Sequence, residues 1–327
     1  MNTHTEHTRV LVTGGTGFLA SHTISRLLEH GYDVVTTVRS LDRANDIRGM
    51  LEAAGAPRAG EAEVVEADLA ADAGWGEAVA GCAYVLHVAS PFPTRQPAHE
   101  DELITPARDG MIRVLTAARE AGARRVVVVS SFTAIDGAPH EPGHVFTEED
   151  WSDPTGPLVP YVKSKTIAEQ AAWDFAATHG GGIEVTVINP VGLFGPALTS
   201  DYSPTLGMLK AIMTGATTTS PDYSMGVVDV RDVADILLTA MTHPDAAGER
   251  FIAAADNPVT QYDMATIVSA ALPEHAGRIA QMTPNDPSVY IALSNAKARR
   301  VLGWDPRTRE EAIVASAESL IRLGEIE

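Results

Sequence analysis

Short apolar runs alternate with longer amphipathic segments along the first 189 residues of the chain. The apolar runs predict strands over Arg9–Thr13, Asp33–Val38, Glu63–Asp68, Ala83–Val88, Arg125–Ser130 and Ile183–Ile188. The segments between them have helical periodicity and predict helices over Phe18–His30, Arg43–Ala54, Glu102–Ala121 and Pro160–Thr178. Strands that alternate with helices form a mostly parallel sheet with right-handed crossovers. The predicted fold class is therefore α/β, with a doubly wound parallel sheet.

The pattern changes after Asn189, where helices predominate. The remaining predicted elements are a strand over Arg250–Ala254 and helices over Pro204–Thr214, Asp229–Thr242, Thr260–Ala271 and Arg307–Arg322. We expect a flexible tail over residues 1–8, a main domain over residues 9–189 and a smaller lobe over residues 190–327. Segments within about 226–255 are expected to return to the main domain.

Composition and net charge indicate which cellular compartment and which classes of partner to expect. The chain is 45% hydrophobic and 20% charged, as in an ordinary globular protein, and its net charge of −19 repels nucleic acid and anionic membranes. No apolar run approaches the roughly 20 residues that span a bilayer, and the polar start lacks the features of a signal peptide. The single cysteine, Cys82, cannot form an internal disulfide. We therefore expect a cytoplasmic protein with no nucleic-acid or membrane partner.

A glycine-rich turn lies between the first predicted strand and the first predicted helix. Its spacing is G-x-x-G-x-x-A, with Gly14, Gly17 and Ala20 at the defined positions. Such a turn lets the backbone and the helix N-terminus approach a pyrophosphate, whereas glycine turns in other contexts are only tight turns. The context favours a Rossmann-type domain that binds a dinucleotide. The cofactor contacts predicted in this loop are Thr13, Gly14, Thr16, Gly17, Phe18 and Leu19.

The end of the second strand indicates which dinucleotide binds. A carboxylate there holds the ribose 2′-hydroxyl of NAD, while an arginine suits a 2′-phosphate. This strand ends at Arg39, and Ser40 and Arg43 follow, so NADPH (NADP⁺) is preferred and NADH stays possible. The alternative is that Arg39 is only a solvated surface side chain. Asp68 and Leu69 end the third strand, where an adenine edge lies, although Asp68 could simply cap the next helix.

The helix that follows the fifth strand contains the spacing Y-x-x-x-K. Tyr161 and Lys165 are four residues apart and share one helix face. A phenol has a pKa of about 10, and a nearby cation lowers it, so Tyr161 is predicted to exchange a proton with a carbonyl or alcohol oxygen. Ser131, at the end of the fifth strand, is the predicted third catalytic group. Ser130 and Thr133 stay open for that role, and an incidental tyrosine on an exposed helix is the alternative.

Taken together, these motifs resemble the extended short-chain dehydrogenase/reductase family, and most closely its dihydroflavonol reductase-like and aldehyde/ketone reductase branch. The resemblance rests on T-G-G-T-G-F-L-A at 13–20, V-R-S at 38–40, H-V-A-S-P at 87–91, S-S-F at 130–132, Y-V-K-S-K at 161–165, N-P-V-G-L-F-G-P at 189–196 and D-V-R-D-V-A at 229–234. It implies a Rossmann-type sheet with a smaller C-terminal substrate-binding lobe. It also implies cofactor contacts at Val88, Ala89, Ser90, Pro91, Ser130, Asn189, Pro190 and Val191. In place of the familiar third glycine of the loop, this chain has Ala20.

The smaller lobe indicates the kind of substrate. Between Asn189 and Gly226 the only basic residue is Lys210, whereas a nucleotide-sugar diphosphate needs arginine or lysine clamps. An apolar pocket suits an uncharged aldehyde, aryl ketone or keto ester. The candidate pocket residues, some of which could be core, are Phe92, Phe132, Phe194, Tyr202, Leu206 and Met225.

Two other functions stay open at this point. One is a nucleotide-sugar epimerase or dehydratase that uses NAD, and the other is a sensor that binds NAD(P) without catalysis. We expect no metal site. The chain is expected to be a monomer or a homodimer.

Overall fold

A seven-stranded parallel sheet forms the centre of the protein. The computed structural model describes residues 8–91 and 99–326. Its strands are β1 (Arg9–Val12), β2 (Asp33–Val38), β3 (Glu63–Glu66), β4 (Tyr84–His87), β5 (Arg125–Val129), β6 (Val145–Phe146), β7 (Glu184–Pro190), β8 (Gly192–Phe194), β9 (Val227–Asp229), β10 (Arg250–Ala253) and β11 (Ala292–Leu293). The central sheet has the order β3–β2–β1–β4–β5–β7–β10, and every pair in it is parallel. The predicted fold class, an α/β protein with a doubly wound sheet, is confirmed.

Helices cover both faces of this sheet. They are α1 (Phe18–Glu29), α2 (Ala44–Ala53), α3 (Trp75–Val79), α4 (Asp101–Glu120), α5 (Pro160–His179), α6 (Pro204–Met213), α7 (Val230–Thr242), α8 (Gln261–Ala271), α9 (Ala296–Leu302) and α10 (Arg309–Arg322). Side chains from α1, α2, α7 and α9 form one hydrophobic core with one face of the sheet. Side chains from α3, α4 and α5 form a second core with the other face. In the described part of the chain, no helix is long and apolar enough to cross a membrane.

Strand β5 illustrates why the sheet forms. Its sequence is Arg-Val-Val-Val-Val, and Val126, Val127 and Val128 are completely buried. Successive side chains of a strand point to opposite faces, and Val127 accordingly packs in one core while its two neighbours pack in the other. A continuous β-branched run is therefore suited to a strand that is covered on both faces.

The C-terminal part builds a smaller lobe around a third core. Strands β8 and β9 pair in parallel, and α6, α8 and α10 pack around this pair. Between β9 and α8 the chain returns to the main domain, where α7 packs on α1 and β10 pairs with β7. The sequence patterns did not predict α3, α9, or the short strands β6, β8, β9 and β11. Strand β7 also continues through Pro190, two residues beyond the predicted end.

Candidate active site

A cleft of about 1310 Å³ lies at the carboxyl ends of the central strands, between the sheet and the smaller lobe. It brings together most of the predicted site residues from distant parts of the chain. Those that line it are Gly14, Thr16, Gly17, Phe18, Leu19, Arg39, Arg43, Asp68, Leu69, Val88, Ala89, Ser90, Pro91, Ser130, Ser131, Phe132, Tyr161, Lys165, Pro190, Val191, Tyr202 and Met225. The carboxyl edge is where ligands bind in open α/β sheets.

The glycine turn needs its glycines for two different reasons. Gly14 has a φ of 74°, and a Cβ added there would lie 3.0 Å from the Cβ of Ala89. A Cβ added at Gly15 would lie 2.3 Å from Thr36 Oγ1, so the turn lies directly against β2. Helix α1 begins after Gly17 with no side-chain cap and no acidic residue in its first turn. Its N-terminus therefore offers backbone N–H groups to an anion, which fits a dinucleotide pyrophosphate.

Thr13 does not line the cleft, because it is completely buried and ties two strand ends together. Its hydroxyl oxygen accepts hydrogen bonds from the backbone N–H groups of Val88 and Ala89, at 3.0 and 2.9 Å. Its proton is therefore free to go to His87 Nδ1, 2.9 Å away. Burial, and after it the Lys165 charge, lower the pKa of His87 to about 3, so this imidazole is neutral. In this structure the Thr13 side chain holds the backbone of Val88 and Ala89 in place and does not face the cleft.

The two arginines near the end of β2 differ in their partners. Arg39 is exposed and lines the cleft, and none of the ion pairs among the described residues includes it. Arg43 contacts Asp46 at 3.0 Å and reaches across to Asp201 of the smaller lobe at 3.3 Å. Ser40 does not line the cleft, and its hydroxyl instead caps the following turn. Arg39 is thus better placed than Arg43 to bind the 2′-phosphate that distinguishes NADPH from NADH.

Asp68 caps a local turn rather than the next helix, which begins after Gly74, and it also lies at the cleft. One carboxylate oxygen accepts a hydrogen bond from Ala70 N at 2.9 Å, so the side chain caps the following turn. The residue also lines the cleft, next to Leu69. A local cap and a place beside the ligand groove are therefore compatible.

The first two turns of α5 present Tyr161 and Lys165 to the cleft. The helix begins at Pro160, a favoured first residue because proline has no N–H to leave unpaired. The Tyr161 hydroxyl is hydrogen-bonded to Ser131, and Lys165 Nζ lies 5.9 Å from the centre of the Tyr161 ring. No described residue accepts a hydrogen bond from Lys165 Nζ, so its donors are available to the hydroxyls of a ribose.

Ser131 and Ser130 have separate partners. Ser131 Oγ accepts hydrogen bonds from the N–H and the hydroxyl of Thr133, at 3.2 and 3.0 Å, so its own proton can point to Tyr161. Ser130 is buried and donates to Glu169 Oε2 at 2.5 Å. The structure therefore pairs Ser131, rather than Ser130, with the tyrosine.

The electrostatics of the pair differ from the sequence-based expectation. Burial raises the pKa of the Tyr161 hydroxyl, and the hydrogen bond from Ser131 only partly opposes this rise. The predicted lowering of this pKa by Lys165 is not found in this geometry, where burial dominates and only the hydrogen bond with Ser131 opposes it. Burial also lowers the pKa of Lys165 to about 8, although Glu169 opposes this shift. At neutral pH Tyr161 is protonated, which suits a proton donor.

Two predicted pocket residues lie in the core. Phe194 and Leu206 are completely buried and do not line the cleft, and Phe194 packs in the core of the smaller lobe. Their neighbours Leu193 and Thr205 line it instead. Phe92 lies outside the described residues. Asn189 is also completely buried and supports the site from behind, donating to the backbone carbonyl of Ser131 at 3.1 Å.

Some residues of the site were not predicted. Asp136 lines the cleft, and burial raises the pKa of its carboxyl to about 6. Ile291 reaches the cleft from a distant segment, and no local pattern indicates its position. Glu169, completely buried behind Lys165, does have a signal, because it continues the four-residue spacing of the tyrosine and the lysine. Among the described residues, no group of three or more acidic, histidine or cysteine side chains could hold a metal ion.

A Rossmann-type sheet with a glycine turn, a cofactor-sized cleft and a Tyr–Lys pair defines a class of nucleotide-binding proteins. Residues 10–254 match the family described as the NAD dependent epimerase/dehydratase family. The chain belongs to this family, which confirms the resemblance to extended short-chain dehydrogenases/reductases.

Proteins similar to this chain include several reductases. A putative NADPH-dependent methylglyoxal reductase of Candida albicans is 31% identical over 320 residues, which cover 91% of this chain and 94% of that protein. A dihydroflavonol 4-reductase of Zea mays is 31% identical over 278 residues, covering 81% and 75%. The structure of yeast methylglyoxal/isovaleraldehyde reductase Gre2 complexed with NADPH superimposes with a TM-score of 0.84 at 26% identity, covering 97% of this chain and 100% of that chain.

Proposed function

We propose that this protein is an NADPH-dependent reductase that transfers hydride to the carbonyl group of an uncharged aldehyde, ketone or keto ester. The observation that carries this proposal is the buried Tyr161 hydroxyl, hydrogen-bonded to Ser131 at the cleft. A phenol whose pKa is raised keeps its proton at neutral pH. The relatives named as reductases support the same reaction class.

The residues of the cleft fit NADPH. The uncapped N-terminus of α1 and the turn at Gly14 suit the pyrophosphate, and Arg39 suits the 2′-phosphate. Lys165 would hold the ribose hydroxyls, and Pro190 and Val191, which line the cleft, would border the nicotinamide. When bound, NADPH supplies the hydride.

Two side chains act on the substrate oxygen. Tyr161 donates its proton to the carbonyl oxygen as the carbon is reduced, and Ser131 stabilises that oxygen with a second hydrogen bond. The Lys165 ammonium, which also lines the cleft, would hold the ribose hydroxyls of bound NADPH. In the reverse direction the phenolate removes the proton from an alcohol.

The substrate side of the cleft favours an uncharged, apolar or aromatic molecule. Phe132, Tyr202 and Met225 line it. Lys210 does not, because its ammonium pairs with Glu325. Among the described cleft residues that come from the smaller lobe, none is a cation that could clamp a nucleotide-sugar diphosphate. This disfavours an epimerase or a dehydratase.

The proposal is tested by cofactor oxidation with purified protein and a panel of aryl aldehydes, aryl ketones and keto esters. We expect turnover with NADPH in preference to NADH. Tyr161→Phe should lower kcat by about 10²- to 10⁴-fold, the usual contribution of a general acid, while NADPH binding persists. Turnover that is unchanged in this variant would contradict the role of the phenol. Binding without any turnover in the unmodified protein would favour the sensor or the nucleotide-sugar enzyme.

A further inference from the structure

Behind the catalytic pair, one buried carboxylate joins four elements of the fold. Glu169 lies one helical turn after Lys165 on α5 and is completely buried. Its Oε2 accepts hydrogen bonds from Ser130 Oγ on the β5 side at 2.5 Å and from Asn189 Nδ2 on β7 at 2.7 Å. Its Oε1 lies 2.7 Å from Nε of Arg250 on β10. A carboxylate with this set of donors is fixed in position.

The same network reaches the catalytic serine. Asn189 Nδ2 also donates to the backbone carbonyl of Ser131 at 3.1 Å, so one amide group joins that carbonyl to Glu169. Ser130, which binds Glu169 directly, is the preceding residue. The carboxylate therefore connects the helix that carries Tyr161 and Lys165 to the strand end that carries Ser131.

Arg250 is held in place by groups other than Glu169. Its Nη1 donates to the backbone carbonyls of Glu148 and Asp150, at 3.1 and 3.0 Å, and its guanidinium stacks on the Trp151 ring at 3.7 Å. The close approach of Nε to Glu169 is a charge contact, since that nitrogen is not aligned for a hydrogen bond. Arg250 thus offsets the buried negative charge of Glu169 without donating a hydrogen bond to it.

The charges that face Glu169 come from two elements. Lys165 is the cation on its own helix, and Arg250 is the cation from β10. His87 of β4 shares with Lys165 and Glu169 a cavity of about 20 Å³, room for about one water molecule. That imidazole is neutral, since its pKa is lowered to about 3. The strands β5 and β7 contribute Ser130 and Asn189, which carry no charge.

We propose that Glu169 is the positioning residue of this active site, which keeps Lys165 an ammonium and fixes the backbone that carries Ser131. This inference rests on the proposed function for its meaning in catalysis. Glu169 touches neither the cleft nor the tyrosine hydroxyl, and it acts through Lys165, Ser130 and Asn189. Burial disfavours the charge on Lys165, and Glu169 is the group that opposes this effect. Without that carboxylate, more of the lysine is neutral at physiological pH.

The test is a titration of Lys165 in the full-length protein. The chain contains only four lysines, Lys163, Lys165, Lys210 and Lys297, so the side-chain NMR signals of ¹³C-lysine-labelled protein are few. The Lys165 signal is assigned by its loss in Lys165→Arg. In the unmodified protein this signal should titrate near pH 8. In Glu169→Gln, which keeps the shape and removes the charge, the midpoint should lie at least about one pH unit lower.

A matched control separates this effect from a general loss of packing. Asp232 is also buried and paired with an arginine, Arg307, but it does not line the cleft. Asp232→Asn should leave the Lys165 midpoint unchanged. If Glu169→Gln does not fold, the double variant Glu169→Gln/Arg250→Gln removes both members of the buried ion pair and should shift the midpoint in the same direction.

Enzyme kinetics give a second readout. A midpoint one pH unit lower leaves about a tenth of Lys165 charged at pH 8, so kcat/KM for NADPH should fall about fivefold more at pH 8 than at pH 6. A loss that is equal at all pH values, with an unshifted Lys165 midpoint, would overturn the positioning role. Because the titration needs no turnover, an inactive unmodified protein would count against the proposed reaction alone.

Discussion

Arg39 gives the sharpest test of cofactor choice, because its removal disturbs nothing else in the described structure. The side chain is exposed at the end of β2, lines the cleft and takes part in none of the described ion pairs. Arg39→Ala should therefore leave the unfolding transition unchanged. Any loss of affinity then measures the contact with the ligand.

The size of the loss follows from the kind of contact. A hydrogen bond to a charged group contributes about 1.5–3 kcal/mol, and the lower end applies to this exposed position. Since about 1.4 kcal/mol corresponds to a tenfold change in affinity, NADPH binding should weaken about 10- to 30-fold. NADH presents a neutral hydroxyl in place of the phosphate, so its affinity should change about twofold or less.

The assay is fluorescence titration of both cofactors at fixed ionic strength. Arg48→Ala is the matched control, because it removes the same charge from an exposed position that does not line the cleft. The preference for NADPH should also shrink as salt is added. Equal losses for NADPH and NADH in Arg39→Ala would refute the assignment of the 2′-phosphate.

Three further predictions concern the same cleft. Because Lys165 is charged below its pKa of about 8 and neutral above it, kcat/KM for NADPH should fall as pH rises, with a midpoint near 8; a flat profile up to pH 10 would contradict this. Asp201→Ala frees Arg43 from its partner across the cleft, so a titration should find NADPH bound a few-fold more tightly, not more weakly. Gly15→Ala places a Cβ against Thr36, so urea denaturation should reveal a loss of about 1–3 kcal/mol, and an unchanged midpoint would speak against this packing.

The sequence was sufficient to predict those strands and helices that depend on a local pattern of residues. The valine run of β5 and the helical periodicity of α1 predict their elements, because the strand has a continuous apolar run and the helix has a regular apolar face. The short strands β6 and β11 have no such pattern. Each contains two residues and exists only through pairing with the other, from a distant part of the chain.

The same distinction applies to the site. Gly14, Tyr161 and Lys165 were predicted because their spacing alone brings the functional groups together. Phe194 was wrongly assigned to the pocket, because the sequence does not reveal whether an apolar side chain faces a cleft or a core. Phe194 is completely buried, and its neighbour Leu193 lines the cleft. The direction of the Tyr161 pKa depends on burial, which only the assembled fold determines.

The central claim is hydride transfer to a carbonyl carbon with a proton from Tyr161. Its most direct test uses NADPH that carries deuterium at both C4 positions of the nicotinamide, with an aryl aldehyde or a keto ester from the panel. Mass spectrometry of the product should find one deuterium on the new carbinol carbon, and Tyr161→Phe should form this product far more slowly. Product without deuterium, or conversion of a nucleotide sugar with no net consumption of NADPH, would contradict the proposed reaction.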